Sequence, residues 1–209
     1  MKISKFFSND SDYGFIKNID KYKIKYSKNL SSNFFNWEIT SQHPNAKNHC
    51  AAVTSTNVDR YFCNISKCDE LNFSVSSNDY SLEQVSNFDE HYDLIGNGPI
   101  LTFAKKTKKI LAEKGINVRY KTKWINKLPF IMESIDNNHL VAILLGSNFK
   151  DYHWILCTGY LITSENKIIL KIIDNWNKNF RYYIPGDSTV MIYTMRFEKI
   201  NNLNAKCPH

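Results

Sequence analysis

The spacing of apolar residues changes along the chain, from a helical period in the middle to short stranded runs in the last third. From Asn48 onward, small and apolar residues recur every three or four positions, which predicts a helix that begins at about Cys50. Three further helices are predicted at 81–94, 100–114 and 123–135. Gly115 ends the second of these, and Pro129 breaks or kinks the last.

After His139 the pattern becomes stranded. Short β-branched and aromatic runs alternate with turn residues, which predicts an antiparallel sheet with a hairpin loop at 163–167. An earlier run, FFNWEI, also predicts a short strand at 34–39. The predicted strands of the last third are HLVAILLG, HWILCTGYLI, KIILKIID, FRYYIP and VMIYTMRFE. Helices followed by an antiparallel sheet predict an α+β domain of two layers.

The composition is that of a globular protein with a core of its own. The chain has 209 residues, of which 43% are hydrophobic and 22% are charged, and this balance excludes a disordered chain. Residues 1–35 are polar with scattered aromatics, and we interpret them as an N-terminal arm or small subdomain. Residues 36–209 are predicted to form the main domain.

Charge and cysteine usage limit the classes of partner and cofactor. The net charge is +7, but the lysines are scattered, and their densest run at 105–109 is typical of a solvated helix face, so nucleic acid is not an expected partner. No apolar run has the length of a signal peptide or membrane span, which favours a cytoplasmic location. Five cysteines lack metal-site spacing, so no metal or cofactor is expected; Cys63 and Cys68 are a candidate disulfide only if the protein is exported.

Cys50 is the candidate nucleophile. It stands at the predicted start of a helix, where the positive end of the helix dipole stabilises a thiolate and unpaired N–H groups bind a developing oxyanion. Such a thiol needs a general base, and the base needs an orienting group. His49 is adjacent to Cys50 but is poorly aimed, because neighbours on a helix point about 100° apart. His139 is interpreted as a turn histidine.

His153 is the candidate base because it opens a strand of the predicted hairpin. Pairing across the 163–167 loop places residues opposite one another when their numbers sum to about 327–330. His153 then lies opposite residues 174–177, where Asp174 or Asn175 could hold one imidazole nitrogen and leave the other for Cys50.

The order Cys50, His153, Asp174 resembles the papain-like cysteine peptidases, and more narrowly the compact bacterial branch related to bacteriocin-leader-processing peptidases. The resemblance spans about 42–197. It implies a papain-like fold, a Cys-His-Asp triad acting on a peptide or protein substrate, and a Trp, here Trp176, that covers the third member. Asn175 and Trp176 are therefore expected to support the triad.

The resemblance also implies an amide donor for the oxyanion, six residues before the cysteine. That position is Pro44, so Gln42 or Asn45 must serve instead, with Gln42 favoured, beside the Cys50 backbone N–H. Ala51 also departs from the Gly or Trp that usually follows the cysteine. Two alternatives remain: a transglutaminase, deamidase or N-acyltransferase of the same fold, and a non-catalytic binding domain on the same scaffold. The sequence does not define an oligomeric state.

Overall fold

The computed structural model describes residues 14–16, 18–31, 36–71, 83–147, 151–186 and 190–200. Within these ranges the chain has an α+β fold of four helices and one eight-stranded sheet. The helices are α1 (Cys50–Leu71), α2 (Glu83–Ile95), α3 (Phe103–Glu113) and α4 (Lys127–Asp136). The strands are β1 (Phe15–Ile16), β2 (Ile24–Asn29), β3 (Val118–Lys123), β4 (Leu140–Ser147), β5 (Asp151–Thr163), β6 (Ile168–Ile173), β7 (Arg181–Tyr183) and β8 (Val190–Lys199).

All strand pairs that the structure describes are antiparallel. The order across the sheet is β1-β7-β6-β5-β4-β8-β3, and β2 pairs with the second half of β5 outside this order. The first 35 residues thus contribute β1 and β2 to the same sheet as the rest of the chain. The boundary at residue 35 stays a prediction.

The register of the β5–β6 hairpin agrees with the sequence arithmetic. Leu156 lies opposite Ile173 and Ile162 lies opposite Ile168, so paired numbers sum to 329 or 330. The loop closes with a hydrogen bond of 2.9 Å from the Thr163 N–H to the Lys167 carbonyl. This register carries His153 past the end of β6 and toward the segment that follows it.

Helices α1 and α3 bury the faces that their periodicity predicts. Ala51, Ala52, Ser55, Val58, Tyr61 and Phe62 of α1 are all buried. In α3 the buried residues are Phe103, Ala104, Thr107, Ile110 and Leu111. Gly115 follows α3 with φ of 76°, the left-handed conformation that glycine adopts without steric cost.

Two local predictions need correction. Of the strand predicted at 34–39, residues 34 and 35 lie outside the described ranges and residues 36–39 form no strand, because the Glu38 N–H donates to the Asn57 side chain of α1 at 2.6 Å instead of to a neighbouring strand. The helix predicted at 123–135 is confirmed as α4 from Lys127 onward, but its start was predicted four residues too early, because Lys123 ends β3. Pro129 falls in the first turn of α4, where its missing N–H needs no partner.

The sheet carries helices on both faces, so the two-layer prediction also needs correction. Phe197 of β8 packs against Phe103 of α3, with ring centroids 6.1 Å apart. Its neighbour Arg196 binds Glu133 of α4 at 3.1 Å and lies over the Phe130 ring. Because successive side chains of a strand point to opposite faces, α3 and α4 lie on opposite sides of the sheet.

Helix α1 excludes the candidate disulfide. It continues without interruption through positions 63 and 68, which are five residues apart. At about 1.5 Å of rise per residue the two Cα atoms are separated by about 7.5 Å along the axis, beyond the reach of a disulfide.

Among the helices of the described ranges, none has both the length and the apolar character needed to cross a membrane.

Candidate active site

Cys50 is the first residue of α1 and lies against strand β5. The helix begins after Asn48, whose φ of 48° turns the chain into it, and its first backbone hydrogen bond joins the Val53 N–H to the His49 carbonyl at 2.9 Å. The Cys50 side chain is 9% exposed, and its sulfur lies 4.0 Å from the Gly98 carbonyl oxygen, to which it donates. The loop before α3 therefore covers the thiol.

The thiol is protonated at neutral pH in this arrangement. Burial raises the pKa of Cys50 to about 11, although the backbone N–H groups of Trp154, Ala51 and Cys50 itself act in the opposite direction. The sequence-based expectation of a ready thiolate at the helix start was therefore wrong for this closed arrangement, because desolvation of the charged form outweighs the N–H groups. The Trp154 backbone N–H is among these groups, so the Cys50 sulfur lies close to the residue that follows His153.

His153 is held as a neutral imidazole of one tautomer. Its Nε2 lies 2.6 Å from the backbone carbonyl oxygen of Asp174, and because a carbonyl only accepts, Nε2 carries the proton and Nδ1 the lone pair. The ring stacks on the Trp176 indole with centroids 3.7 Å apart. Burial lowers the pKa of His153 to about 4, against the opposing effect of Asp174.

The Asp174 carboxylate does not hold the imidazole, in contrast to the triad expectation. Its Oδ1 accepts hydrogen bonds from the backbone N–H groups of Trp176 and Asn177, at 3.0 and 2.9 Å. Its Oδ2 binds the Arg181 guanidinium at 2.9 Å. The carboxylate therefore stabilises the turn, and the turn presents the Asp174 carbonyl and the Trp176 ring to His153.

Asn175 joins α1 to β5 and does not contact the imidazole. It is fully buried with φ of 63°, a conformation that asparagine tolerates better than most residues. Its Nδ2 donates to the Trp154 carbonyl and to Thr54 Oγ1, each at 2.8 Å, and its Oδ1 accepts from Asn57 at 2.9 Å. The start of α1 is thereby fixed beside the first residues of β5.

Thr54 and Asn57 are site residues that sequence reasoning missed. Both are buried, and they lie four and seven positions after Cys50, on the same face of α1. No signal in the sequence distinguishes them, because Ser55, Thr56 and Asp59 of the same turns are polar as well. Nor does the sequence indicate that the Gly98 carbonyl covers the Cys50 thiol, because that contact depends on how the loop packs.

Of the two oxyanion candidates, Gln42 is the better fixed. Its Oε1 accepts from the Ile39 N–H and from Lys178 Nζ, both at 2.9 Å, and its amide nitrogen makes no hydrogen bond within the described ranges. Asn45 is exposed, and its side chain makes no hydrogen bond to any described residue. Each assignment to the oxyanion stays a prediction.

The other histidines of the described ranges each contact a different group of the protein. His91 places Nδ1 at 2.5 Å from Ser55 and Nε2 at 3.0 Å from Asp59, inside a buried network between α1 and α2. His43 stacks on Phe88 and binds Glu38, and His139 lies near Glu198. His49 contacts the Thr40 carbonyl through Nε2 at 3.1 Å.

The pKa shifts of His153, Cys50 and Cys157 predict that the free energy of unfolding is nearly constant between about pH 6.5 and pH 9. The folded pKa of His153 lies below its ordinary 6.5, so its contribution, about 3 kcal/mol, is present above pH 6.5 and lost as the pH falls toward 4. The folded pKa values of Cys50 and Cys157, about 11 and 12, exceed their ordinary 9.0, so stability falls above pH 9. Urea unfolding at several pH values measures both limbs.

A His153→Gln variant is the control for the acid limb. Because glutamine does not titrate, its stability should change less than that of the wild type between about pH 6.5 and 4. Parallel losses in the two proteins would show that the buried imidazole is not the source of the acid sensitivity.

Within the described ranges, no group of three or more His, Cys, Asp or Glu side chains is placed to hold a metal ion.

In comparisons with known proteins, no family model matches the sequence and no curated protein matches it. The chemistry of the site therefore has to be inferred from its own geometry.

Proposed function

We propose that this chain is a cysteine peptidase, or a related acyl-transfer hydrolase of papain-like fold, with Cys50 as nucleophile and His153 as general base. One observation carries the proposal. The thiol at the first residue of α1 lies close to the backbone N–H of Trp154, and the residue before Trp154 is His153, whose tautomer is set by the Asp174 carbonyl. A nucleophile, a base and an orienting group are the parts that acyl transfer requires.

The proposed reaction begins with a neutral pair. As the Cys50 sulfur attacks the carbonyl carbon of a peptide bond, the thiol proton passes to His153 Nδ1. The resulting oxyanion accepts hydrogen bonds from the Cys50 backbone N–H and from Gln42 or Asn45. The imidazolium then protonates the leaving amine, and water, deprotonated by His153, hydrolyses the thioester.

Asp174 and Trp176 are proposed to position the base rather than to titrate. The Asp174 carbonyl accepts from Nε2–H throughout the cycle and stabilises the imidazolium, while the Trp176 ring shields that hydrogen bond from water. A backbone carbonyl is retained by every substitution at position 174. This leads to a prediction that separates the carbonyl from the carboxylate.

His153→Ala should lower turnover by at least about 10³-fold, whereas Asp174→Asn should retain activity within about tenfold of the wild type. Asparagine keeps the backbone carbonyl and one side-chain oxygen that accepts from the turn N–H groups. It replaces Oδ2, which accepts from Asn177 Nδ2 at 2.7 Å and from Arg181 at 2.9 Å, by a donor, so circular dichroism of the variant accompanies the rate. The measurement is cleavage of a mixed peptide library, with new termini identified by mass spectrometry and rates compared on the best peptide.

An equal loss in the two variants would show that the Asp174 carboxylate, not the carbonyl, acts on the imidazole.

Addition of hydroxylamine to the same assay separates hydrolysis from acyl transfer, because a transferase partitions the thioester toward the amine. If the ratio of hydrolysis product to amine adduct shows no partitioning toward hydroxylamine, a peptidase is favoured.

The burial of Cys50 favours one alternative, a binding domain that uses the scaffold without catalysis. A thiol that is 9% exposed and held by the Gly98 carbonyl reacts only when the covering loop is displaced. Slow alkylation of Cys50 in the resting protein is therefore expected whether the chain is a peptidase or a binding domain. Absence of any cleaved peptide with the wild-type protein would favour the binding domain.

A further inference from the structure

Strand β3 lies at one end of the sheet, and no described strand pairs with its outer edge. It is the last strand of the sheet order within the described ranges, and its inner side pairs with β8 along all six residues. Every second residue of β3 therefore directs its N–H and C=O groups away from β8. Such an edge can pair with another extended chain.

The side chains of this edge are basic on one face. Arg119, Lys121 and Lys123 alternate along β3, so they share a face and are spaced by about 6.8 Å. Arg119 binds Glu198 but is 71% exposed. Lys121 and Lys123 have no carboxylate partner in the part of the chain that the structure describes, so the edge carries uncompensated positive charge.

The basic face opens into a cleft of about 360 Å³. Arg119, Tyr120, Lys121, Arg196 and Glu198 line it. The Arg196 guanidinium is fixed in the cleft by Glu198 at 2.5 Å and by Glu133 at 3.1 Å. The Arg196 guanidinium of the cleft is thus paired with two carboxylates, whereas Arg119 is 71% exposed and Lys121 is exposed.

An apolar surface follows directly at the end of β3. Trp124 packs on Tyr193 with ring centroids 4.2 Å apart and is still 54% exposed, and Ile125 is 76% exposed. An extended ligand that follows the edge past Lys123 reaches these two side chains.

We propose that the β3 edge binds an extended acidic peptide segment of a partner protein as an additional strand. Alternate carboxylates of that segment face Arg119, Lys121 and Lys123, and an apolar residue beyond them packs on Trp124 and Ile125. Backbone pairing supplies affinity and the alternating charges supply specificity. This surface is separate from Cys50, so the proposal goes beyond the proposed catalytic function and does not depend on it.

The same features argue against other occupants. A second copy of β3 would place lysine and arginine side chains opposite one another, which destabilises strand pairing. A nucleic acid has no peptide backbone that could continue the ladder of hydrogen bonds along the outer edge of β3. An acidic peptide supplies both carboxylates and backbone amides.

The test is fluorescence anisotropy with a labelled peptide of alternating glutamate and threonine that ends in leucine. The protein carries Cys50→Ala, so that no cleavage complicates binding. Saturable binding is expected, with a Kd that rises at least about tenfold when Lys121→Glu replaces attraction by repulsion. The matched control Lys108→Glu alters an exposed lysine of α3 and should leave Kd unchanged.

A second peptide, N-methylated at alternate residues along one edge, keeps the charges and removes the backbone donors. It should bind at least about tenfold more weakly. Equal binding of both peptides, equal effects of the two lysine variants, no binding, or tighter binding of an oligothymidine would each overturn the proposal. Circular dichroism confirms that each variant is folded.

Discussion

Cys50→Ala should abolish peptide cleavage, with a loss of at least about 10⁴-fold in turnover, because the proposed covalent step has no other nucleophile. Alanine is smaller and apolar, so the buried helix start should stay intact and the free energy of unfolding should change little. The measurement is the rate of cleavage of the best library peptide, with urea unfolding as the check on the fold.

Cys63→Ala is the matched control for this prediction. Cys63 lies on the same helix and is partly buried, and its thiol donates to Asp59 at 3.1 Å, away from His153. Removal of this thiol should leave turnover within about twofold of the wild type, since it takes away one small group that bonds Asp59 and none of the proposed reacting groups. If Cys50→Ala cleaved peptide at the wild-type rate, the nucleophile assignment would be wrong.

Asp59→Ala is expected to have the largest effect on stability, a loss of about 3 to 5 kcal/mol in the free energy of unfolding. The carboxylate is fully buried and accepts hydrogen bonds from Lys114 at 2.5 Å and His91 at 3.0 Å. Burial alone would raise its pKa, but these two partners hold the pKa of Asp59 at about 2. Without the carboxylate, the fully buried His91 loses the acceptor of its Nε2–H, and the partly buried side chain of Lys114 keeps Glu90 at 3.5 Å.

Glu113→Ala provides the control for Asp59→Ala. Glu113 faces Lys109 at 3.8 Å on the exposed side of α3, so its loss should cost less than about 0.5 kcal/mol. Urea unfolding monitored by circular dichroism measures both variants. A loss in Asp59→Ala no larger than in Glu113→Ala would mean that the buried network contributes nothing to stability.

Acid sensitivity gives a second measure of the same carboxylate. The folded pKa of Asp59 lies below its ordinary 3.8, so its contribution is present above pH 3.8 and is lost as the pH falls toward 2. Asp59→Ala lacks this contribution at every pH. The stability difference between the two proteins should therefore narrow below about pH 3.8.

Local patterns were sufficient where a single element decides the outcome. The period of α1 and its start at Cys50 follow from residue spacing, and the hairpin register that brings position 153 to the segment after β6 follows from strand pairing across one short loop. Strand β3 was missed because VRYKTK has few apolar residues and lies at an edge, where it needs only Val118 fully buried.

The sequence by itself determined the α+β class, the helix that presents the thiol and the hairpin that carries the imidazole, because each depends on contacts close in the chain. Only the tertiary structure decided that a carbonyl rather than the Asp174 carboxylate holds His153, and that burial under the Gly98 loop raises the pKa of Cys50. Those outcomes depend on which groups of distant segments meet, and on how much water they exclude, neither of which any local pattern records.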